Sequence, residues 1–206
     1  MDSHLAVLEA RFGSSFAPPT PSGGLPAKQL VNFGGANHLH FRGAPRRETL
    51  MGKARRGFVL LPGEGRAIDL GGFQMSIKAA ARDTDSAFSL LEAHEPPDFG
   101  PPLHIHTDAA EAFYVLEGEY IIFLDGQEFS CAAGSFIFIP AGIPHGFRVG
   151  KVASRKLNLY TPAAMVGYFD DLSEAIRNGA ADDELLGEIA DRYSMEVIGP
   201  VPEGYL

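Results

Sequence analysis

The sequence predicts a mainly β fold, a sandwich or barrel of short strands followed by helices, on three observations. First, 206 residues, 45% of them apolar, suffice for one sizeable hydrophobic core. Second, 24 Gly and 15 Pro interrupt the chain too often for a helical bundle and suit many tight turns. Third, apolar or alternating segments of strand length recur through the middle of the chain, whereas helical periodicity is confined to its last quarter. The single cysteine, Cys131, excludes an internal disulfide framework and fits a reducing compartment, so packing alone must hold the fold.

Taken in order, residues 1–55 read as a mostly irregular arm. Within it, Ser3 can cap a short helix over residues 3–11 with Leu5, Leu8 and Phe12 on one side, and the Pro/Gly-rich stretch 16–26 favours extended chain. From Gly57, short strands are expected at residues 58–61, 67–70, 73–79, 87–93, 113–116, 120–124, 136–139, 145–149 and 154–160. Asp125-Gly126, between residues 120–124 and 127–129, signals a two-residue hairpin, because both central positions of a type I′ turn need positive φ. Gly118, Gly134 and Gly142 mark further turns. No fixed-period repeat runs through this zone, which disfavours propellers and solenoids.

The barrel zone thus covers residues 56–162, and residues 163–206 form a helical zone with a tail. Met165, Tyr168, Phe169, Leu172 and Ile176 recur at three- and four-residue steps, as do Leu185, Leu186, Ile189 and Tyr193 after the capping pair Asp182-Asp183. Two amphipathic helices are expected outside the barrel. Residues 198–206 read as coil, since Pro200 and Pro202 cannot continue a helix.

A formal charge of −9 argues against a general nucleic-acid binder. The longest clean apolar run, about residues 120–124, falls far short of the roughly 20 residues that a membrane-spanning helix needs. Residues 1–16 lack the apolar stretch of a secretory signal. A cytoplasmic protein with a small-molecule partner is therefore expected. The charge is uneven: residues 42–66 hold seven Lys/Arg against two Glu, and residues 163–206 hold ten Asp/Glu against two Arg. Two solvated faces and a head-on-tail docking, within or between subunits, both fit that asymmetry.

The chemistry is concentrated in His104-Ile-His106, Glu111 and His145. Positions i and i+2 of a strand share a face, so His104 and His106 point together toward the interior. A barrel interior is a costly place for three imidazoles and a carboxylate unless something pairs them, and a divalent cation does so directly. The remaining candidates carry less. His38-Leu-His40 has no accompanying Glu and reads as a surface pair, His94 as a surface histidine in a loop near the barrel mouth, and Cys131 as a small core residue. No phosphate-binding loop or nucleophile elbow is present.

These stretches resemble the two signature motifs of the cupin superfamily. His104, His106, Glu111 and Gly118 match the first, and Gly134, Pro140, Gly142 and His145 match the second. Two positions depart from the pattern without touching a ligand: Asp98 stands where a glycine is expected, and Val149 where an asparagine often closes the second motif. The resemblance covers residues 57–162 and implies a cupin (double-stranded β-helix, or jelly-roll) barrel with C-terminal helices. It implies that His104, His106, Glu111 and His145 ligate a divalent transition metal, with one or two positions left open. Nitrogen and oxygen donors of this kind accept Fe, Mn, Co, Ni, Cu or Zn.

Strand parity puts Phe113 and Val115 with Glu111, and Phe147 and Val149 with His145, as walls of a pocket suited to a flat or apolar substrate. Few inward Lys, Arg, Asn or Gln are expected. The entry Gly100-Pro101-Pro102-Leu103-His104-Ile105-His106 is similar to that of the bacterial quercetin 2,3-dioxygenase-like cupins. That similarity implies a dioxygenase, an oxidoreductase using dioxygen on a flavonol or other enolisable aromatic, with Glu111 as both ligand and proton acceptor. A non-catalytic metal-containing binding or sensing cupin and a cupin isomerase or epimerase remain as alternatives. A homodimer is expected by the same analogy.

Overall fold

The computed structural model describes residues 57–201 together with the backbone of one strand at Gln29–Leu30. The expected helix at 3–11, the stretch at 16–26 and the His38/His40 pair lie outside the described residues. The chain divides into two compact units, the smaller covering Pro19–Glu64. In that unit β1 (Gln29–Leu30) pairs antiparallel with β2 (Phe58–Val59), Leu30 standing opposite Phe58. The strand expected at 58–61 is thus shorter and belongs to its own two-stranded sheet. Its continuation is a turn, closed by a hydrogen bond from the Leu61 amide to Glu64 Oε2 at 2.7 Å, and Pro62 offers no amide to a ladder.

In the larger unit, two antiparallel sheets face each other. One has the order β10-β7-β12-β5-β4-β3, made from Phe136–Ile139, Ala110–Glu117, Ser154–Thr161, Ser89–Glu95, Gln74–Ala79 and Arg66–Asp69. The other has the order β13-β6-β11-β8-β9, made from Met195–Gly199, Leu103–His106, His145–Val149, Glu119–Leu124 and Gln127–Ala132. Neighbours distant in sequence thus lie side by side, as in a jelly roll rather than a meander. The β8–β9 hairpin turns through Asp125 (φ 49°) and Gly126 (φ 73°), both left-handed as a type I′ turn requires. A one-turn helix, α1 (Ala81–Thr84), which periodicity does not announce, links β4 to β5.

Gly118 is required by geometry. Its φ is +75°, and a Cβ there would stand 2.1 Å from Ser154 Oγ and 3.0 Å from Ser154 Cα. That serine cannot retreat freely, because its Oγ accepts from the Glu119 amide at 3.0 Å and sits 3.0 Å from the Val152 carbonyl. Gly118→Ala is therefore expected to destabilise the fold by about 2–4 kcal/mol, from left-handed strain plus overpacking, read as a lower urea midpoint.

Two large apolar clusters make most of the core, with a smaller third of Ile121, Phe123 and Val201. Phe113, Val115, Tyr120, Ile122, Ile137, Ile139, Phe147 and Val149 form one between the sheets. The other contains Ile68, Leu70, Met75, Leu91 and Tyr160, with the helices α2 (Val166–Arg177) and α3 (Asp183–Arg192) packed against it. Both helices carry the expected apolar stripe, and Asp182 caps α3 by accepting from the Leu185 amide at 2.9 Å. The α2 helix is tied to β3 by Arg66, whose guanidinium forks onto Asp170 at 2.6 and 2.8 Å, and by Ser173 Oγ donating to the Asp69 carbonyl at 2.6 Å.

The expected coil at 198–206 is corrected at its start. Met195–Gly199 forms β13, pairing Met195 with His106 and Val197 with His104. The segment alternates buried Met195, exposed Glu196, half-buried Val197 and exposed Ile198, which gives it a strand period too short to stand out beside the preceding helix. Among the described residues no helix is long and apolar enough to cross a membrane.

Candidate metal centre

The five-stranded sheet supplies three imidazoles and the six-stranded sheet supplies one carboxylate. Alternation along β6 buries His104 and His106 and turns Leu103 and Ile105 the other way. Across the ladder, His145 opens β11 directly opposite His104. Glu111, near the start of β7, stands opposite Tyr160 of β12. One potential ligand atom from each of His104, His106, Glu111 and His145 lies within 4.8 Å of every other, and all four side chains are buried.

Two of the rings are aimed by backbone carbonyls. His104 Nδ1 lies 2.8 Å from the Pro102 carbonyl, and His145 Nδ1 lies 2.8 Å from that of Ile143. A carbonyl only accepts, so each Nδ1 donates; this leaves the His104 Nε2 with its lone pair and aims the His145 Nε2 at Glu111. Burial, with His145 and His106 close by, drives the His104 pKa down to about 3, so this ring is neutral. His145 is different: burial opposes its charged form, but its Nε2 sits 2.9 Å from Glu111 Oε2, and that contact raises its pKa. Glu111 would be pushed up by burial alone, yet the imidazoles of His106 and His145 outweigh burial and hold it well below the usual carboxylate range.

His106 carries the strongest sign of a missing partner. Among the described residues, neither of its buried ring nitrogens has a hydrogen bond, and its Nε2 lies 3.3 Å from Glu111 Oε2. An unpaired buried imidazole beside a carboxylate costs free energy that a cation recovers. Three nitrogen donors and one oxygen donor converging on one point fit a divalent transition metal and do not single out one element.

Behind the ligands, Asn158 Nδ2 points at Glu111 Oε1 from 3.4 Å. The Tyr160 hydroxyl, also hydrogen-bonded to Glu111, has its pKa driven well up, by burial first and by that carboxylate second. The Tyr160 ring stands edge-on to His106, with centroids 5.5 Å apart.

A cavity of about 190 Å³ opens from this cluster. Phe113 and Phe147 line it as expected walls, together with Phe73, Phe99 and Met75. Val115 and Val149 do not line it; they lie fully buried in the core cluster beneath. The two C-terminal helices are nearer the site than an outer position implies, since Tyr168, Phe169, Leu172 and Ile176 of α2 and Leu186 and Ala190 of α3 line the same cavity. His94 is exposed within β5 rather than in a loop, and Cys131 is half-buried against the inter-sheet core.

The expectation of few inward polar groups is also corrected. β12 turns Ser154, Lys156, Asn158 and Tyr160 into the barrel, and β5 adds Glu95. Lys156 Nζ sits 2.7 Å from each Glu95 oxygen, the Tyr120 hydroxyl donates to Glu95 Oε2 at 2.8 Å, and Nζ stands 3.8 Å from the Phe147 ring centroid. The ammonium is 0% exposed and is paired only through this network.

Comparison with known proteins agrees with the motifs. Residues 91–153 match the family described as Cupin domain. Quercetin 2,3-dioxygenase of Bacillus subtilis is 29% identical over 117 residues, covering 57% of this chain and 35% of that protein. A protein of Methanocaldococcus jannaschii is 39% identical over 57 residues, 28% of this chain and 46% of its own length. The chain thus matches between about a third and a half of the length of these curated relatives. Among solved structures, KdgF from Halomonas sp. superposes with a TM-score of 0.47 at 20% identity, covering 52% of this chain and 94% of that one. Residues 91–153 are thus similar to a cupin domain, and this stretch carries the two signature motifs on facing antiparallel sheets.

Proposed function

We propose that this protein is a metal-dependent dioxygenase acting on a flavonol-like or other enolisable aromatic substrate. Cupins differ widely in chemistry, so the site must carry the proposal rather than the fold. One observation carries it: the four-residue ligand cluster stands at the wall of a cavity whose other walls are mostly aromatic and aliphatic. A flat aromatic ring fits among Phe73, Phe99, Phe113 and Phe147 by edge and face contacts. The similarity of residues within the barrel to quercetin 2,3-dioxygenase supports the same substrate class.

His104, His106, His145 and Glu111 would hold the metal. A redox-active divalent ion held there supplies Lewis acidity toward an enol oxygen and electron transfer toward dioxygen. The protein's own part is positioning and proton handling. Glu111, held ionised by its neighbours, accepts the proton of the substrate hydroxyl on a carboxylate oxygen. Tyr160 and Asn158 hold that carboxylate in place, and the aromatic walls exclude water from the ring.

Oxygen uptake by the full chain loaded in turn with Fe, Mn, Co or Ni, assayed against a panel of flavonols and small enols, tests the proposal. Uptake dependent on both metal and a flavonol is expected. Metal-loaded protein that binds flavonols without consuming oxygen would instead favour a binding or sensing module.

A further inference from the structure

Asn158 borders the four-residue cluster through Glu111 and the Glu95–Lys156–Tyr120 network lies beyond it, and both Glu95 and Asn158 line the same cavity. We propose that Glu95 and Asn158 form a second polar subsite, which accepts hydrogen bonds from hydroxyl groups on the substrate and selects a hydroxylated aromatic over its unsubstituted parent. This rests on the flavonol-like reading and adds the pattern of substituents the cavity takes.

Each residue has acceptor capacity that the protein leaves unfilled. An ionised carboxylate offers about four lone-pair sites. Lys156 Nζ takes one on each oxygen of Glu95, and Tyr120 takes a second on Oε2, so a position remains on Oε1 of a side chain 2% exposed at the cavity wall. Asn158 is 4% exposed, and its buried Oδ1 has no partner among the described residues, while its Nδ2 is committed to Glu111. The Nδ2 assignment follows from chemistry, because Glu111 can only accept. Both openings therefore ask for a donor. Lys156 does not line the cavity; it is a positioning residue that holds the Glu95 carboxylate over Phe147.

The spacing suits one extended molecule. Asn158 is two residues and Lys156 four residues along β12 from Tyr160, which stands opposite Glu111. Asn158 reaches back to Glu111 Oε1 at 3.4 Å, whereas Lys156, which holds Glu95, lies roughly 13 Å along the strand from the Tyr160 level at about 3.3 Å per residue. A ring system anchored beside the four-residue cluster would thus present a near hydroxyl to Asn158 and a far one to Glu95. Phe113 and Phe147 line the path between.

The test measures binding of quercetin and of 3-hydroxyflavone, which lacks quercetin's other hydroxyls, to the metal-loaded full chain under argon, by calorimetry. Hydrogen bonds to a charged buried acceptor predict that quercetin binds at least about tenfold more tightly. The double variant Glu95→Leu, Lys156→Met, which removes the carboxylate acceptor without stranding the ammonium, is expected to cut that ratio to about threefold or less while leaving 3-hydroxyflavone binding within about twofold. Equal affinities in the wild-type protein would overturn the subsite and leave the flavonol reading standing. Failure of both flavonols to bind would overturn the two together. If that double variant does not fold, the wild-type comparison still decides.

Discussion

Glu95→Ala is expected to destabilise the protein by about 3–5 kcal/mol, because it strands a buried ammonium. Lys156 Nζ is 0% exposed and is surrounded by the Phe147, Tyr120 and Phe113 rings at 3.8, 4.9 and 5.3 Å from their centroids. Ring faces attract a cation but do not replace the carboxylate that accepts two of its protons at 2.7 Å. Removing both charges is a different experiment. Glu95→Leu combined with Lys156→Met exchanges an ion pair for apolar groups of similar volume, and is expected to stay within about 2 kcal/mol of wild type or to exceed it. Urea unfolding of the two proteins separates the costs. A loss below about 1 kcal/mol in Glu95→Ala would mean that water reaches Lys156 and that the pair is not buried as described.

The second large effect is on metal affinity. The double variant His106→Ala, Glu111→Gln is expected to lose more than about 100-fold in affinity, beyond the upper end of what losing a ligand-orienting partner costs. It removes one imidazole and the carboxylate charge, leaving His104 and His145 held by the carbonyls of Pro102 and Ile143. Elemental analysis of purified wild-type and variant protein measures the difference. Retention of more than half of the wild-type metal by the variant would count against the site. Its unfolding midpoint serves as the control, since His106 lacks a hydrogen-bonding partner and gives up little when truncated.

The clustering of His104 with His106 was legible in the sequence because it is local, and that of Glu111 and His145 because the motif spacing marks them. Period-two alternation fixes His104 beside His106, and β11 places His145 opposite His104. The same rule misleads on β12. Its residues Ser-Arg-Lys-Leu-Asn-Leu-Tyr-Thr alternate cleanly, but the apolar set Leu157 and Leu159 faces outward and the polar set faces in. Hydrophobic alternation reports a face without saying which side of the sheet it is, so a strand whose inner side carries Lys156 and Asn158 reads as its mirror. β10 is apolar on both faces instead, with Ile137 and Ile139 buried and Phe136 and Phe138 67% and 53% exposed on the outer side.

The cavity's far wall was illegible for another reason. β13 has five residues, and what makes it a strand is its partner β6, some ninety positions earlier in the chain. The helices were readable from their stripes, since Tyr168, Phe169, Leu172 and Ile176 follow one face. What those stripes cover follows from tertiary packing, which a local period does not contain. The unfilled acceptors of Glu95 and Asn158 belong to the same class. They follow from what surrounds each side chain, and their residue types alone carry no signal.

The most direct test is a crystal of the metal-loaded full chain, with diffraction recorded at the absorption edge of the metal. One anomalous peak about 2.0–2.2 Å from a ring nitrogen of each of His104, His106 and His145, and from an oxygen of Glu111, is the predicted result. Absence of a peak at that cluster in protein shown to contain the metal, or a peak bound only elsewhere, would contradict it.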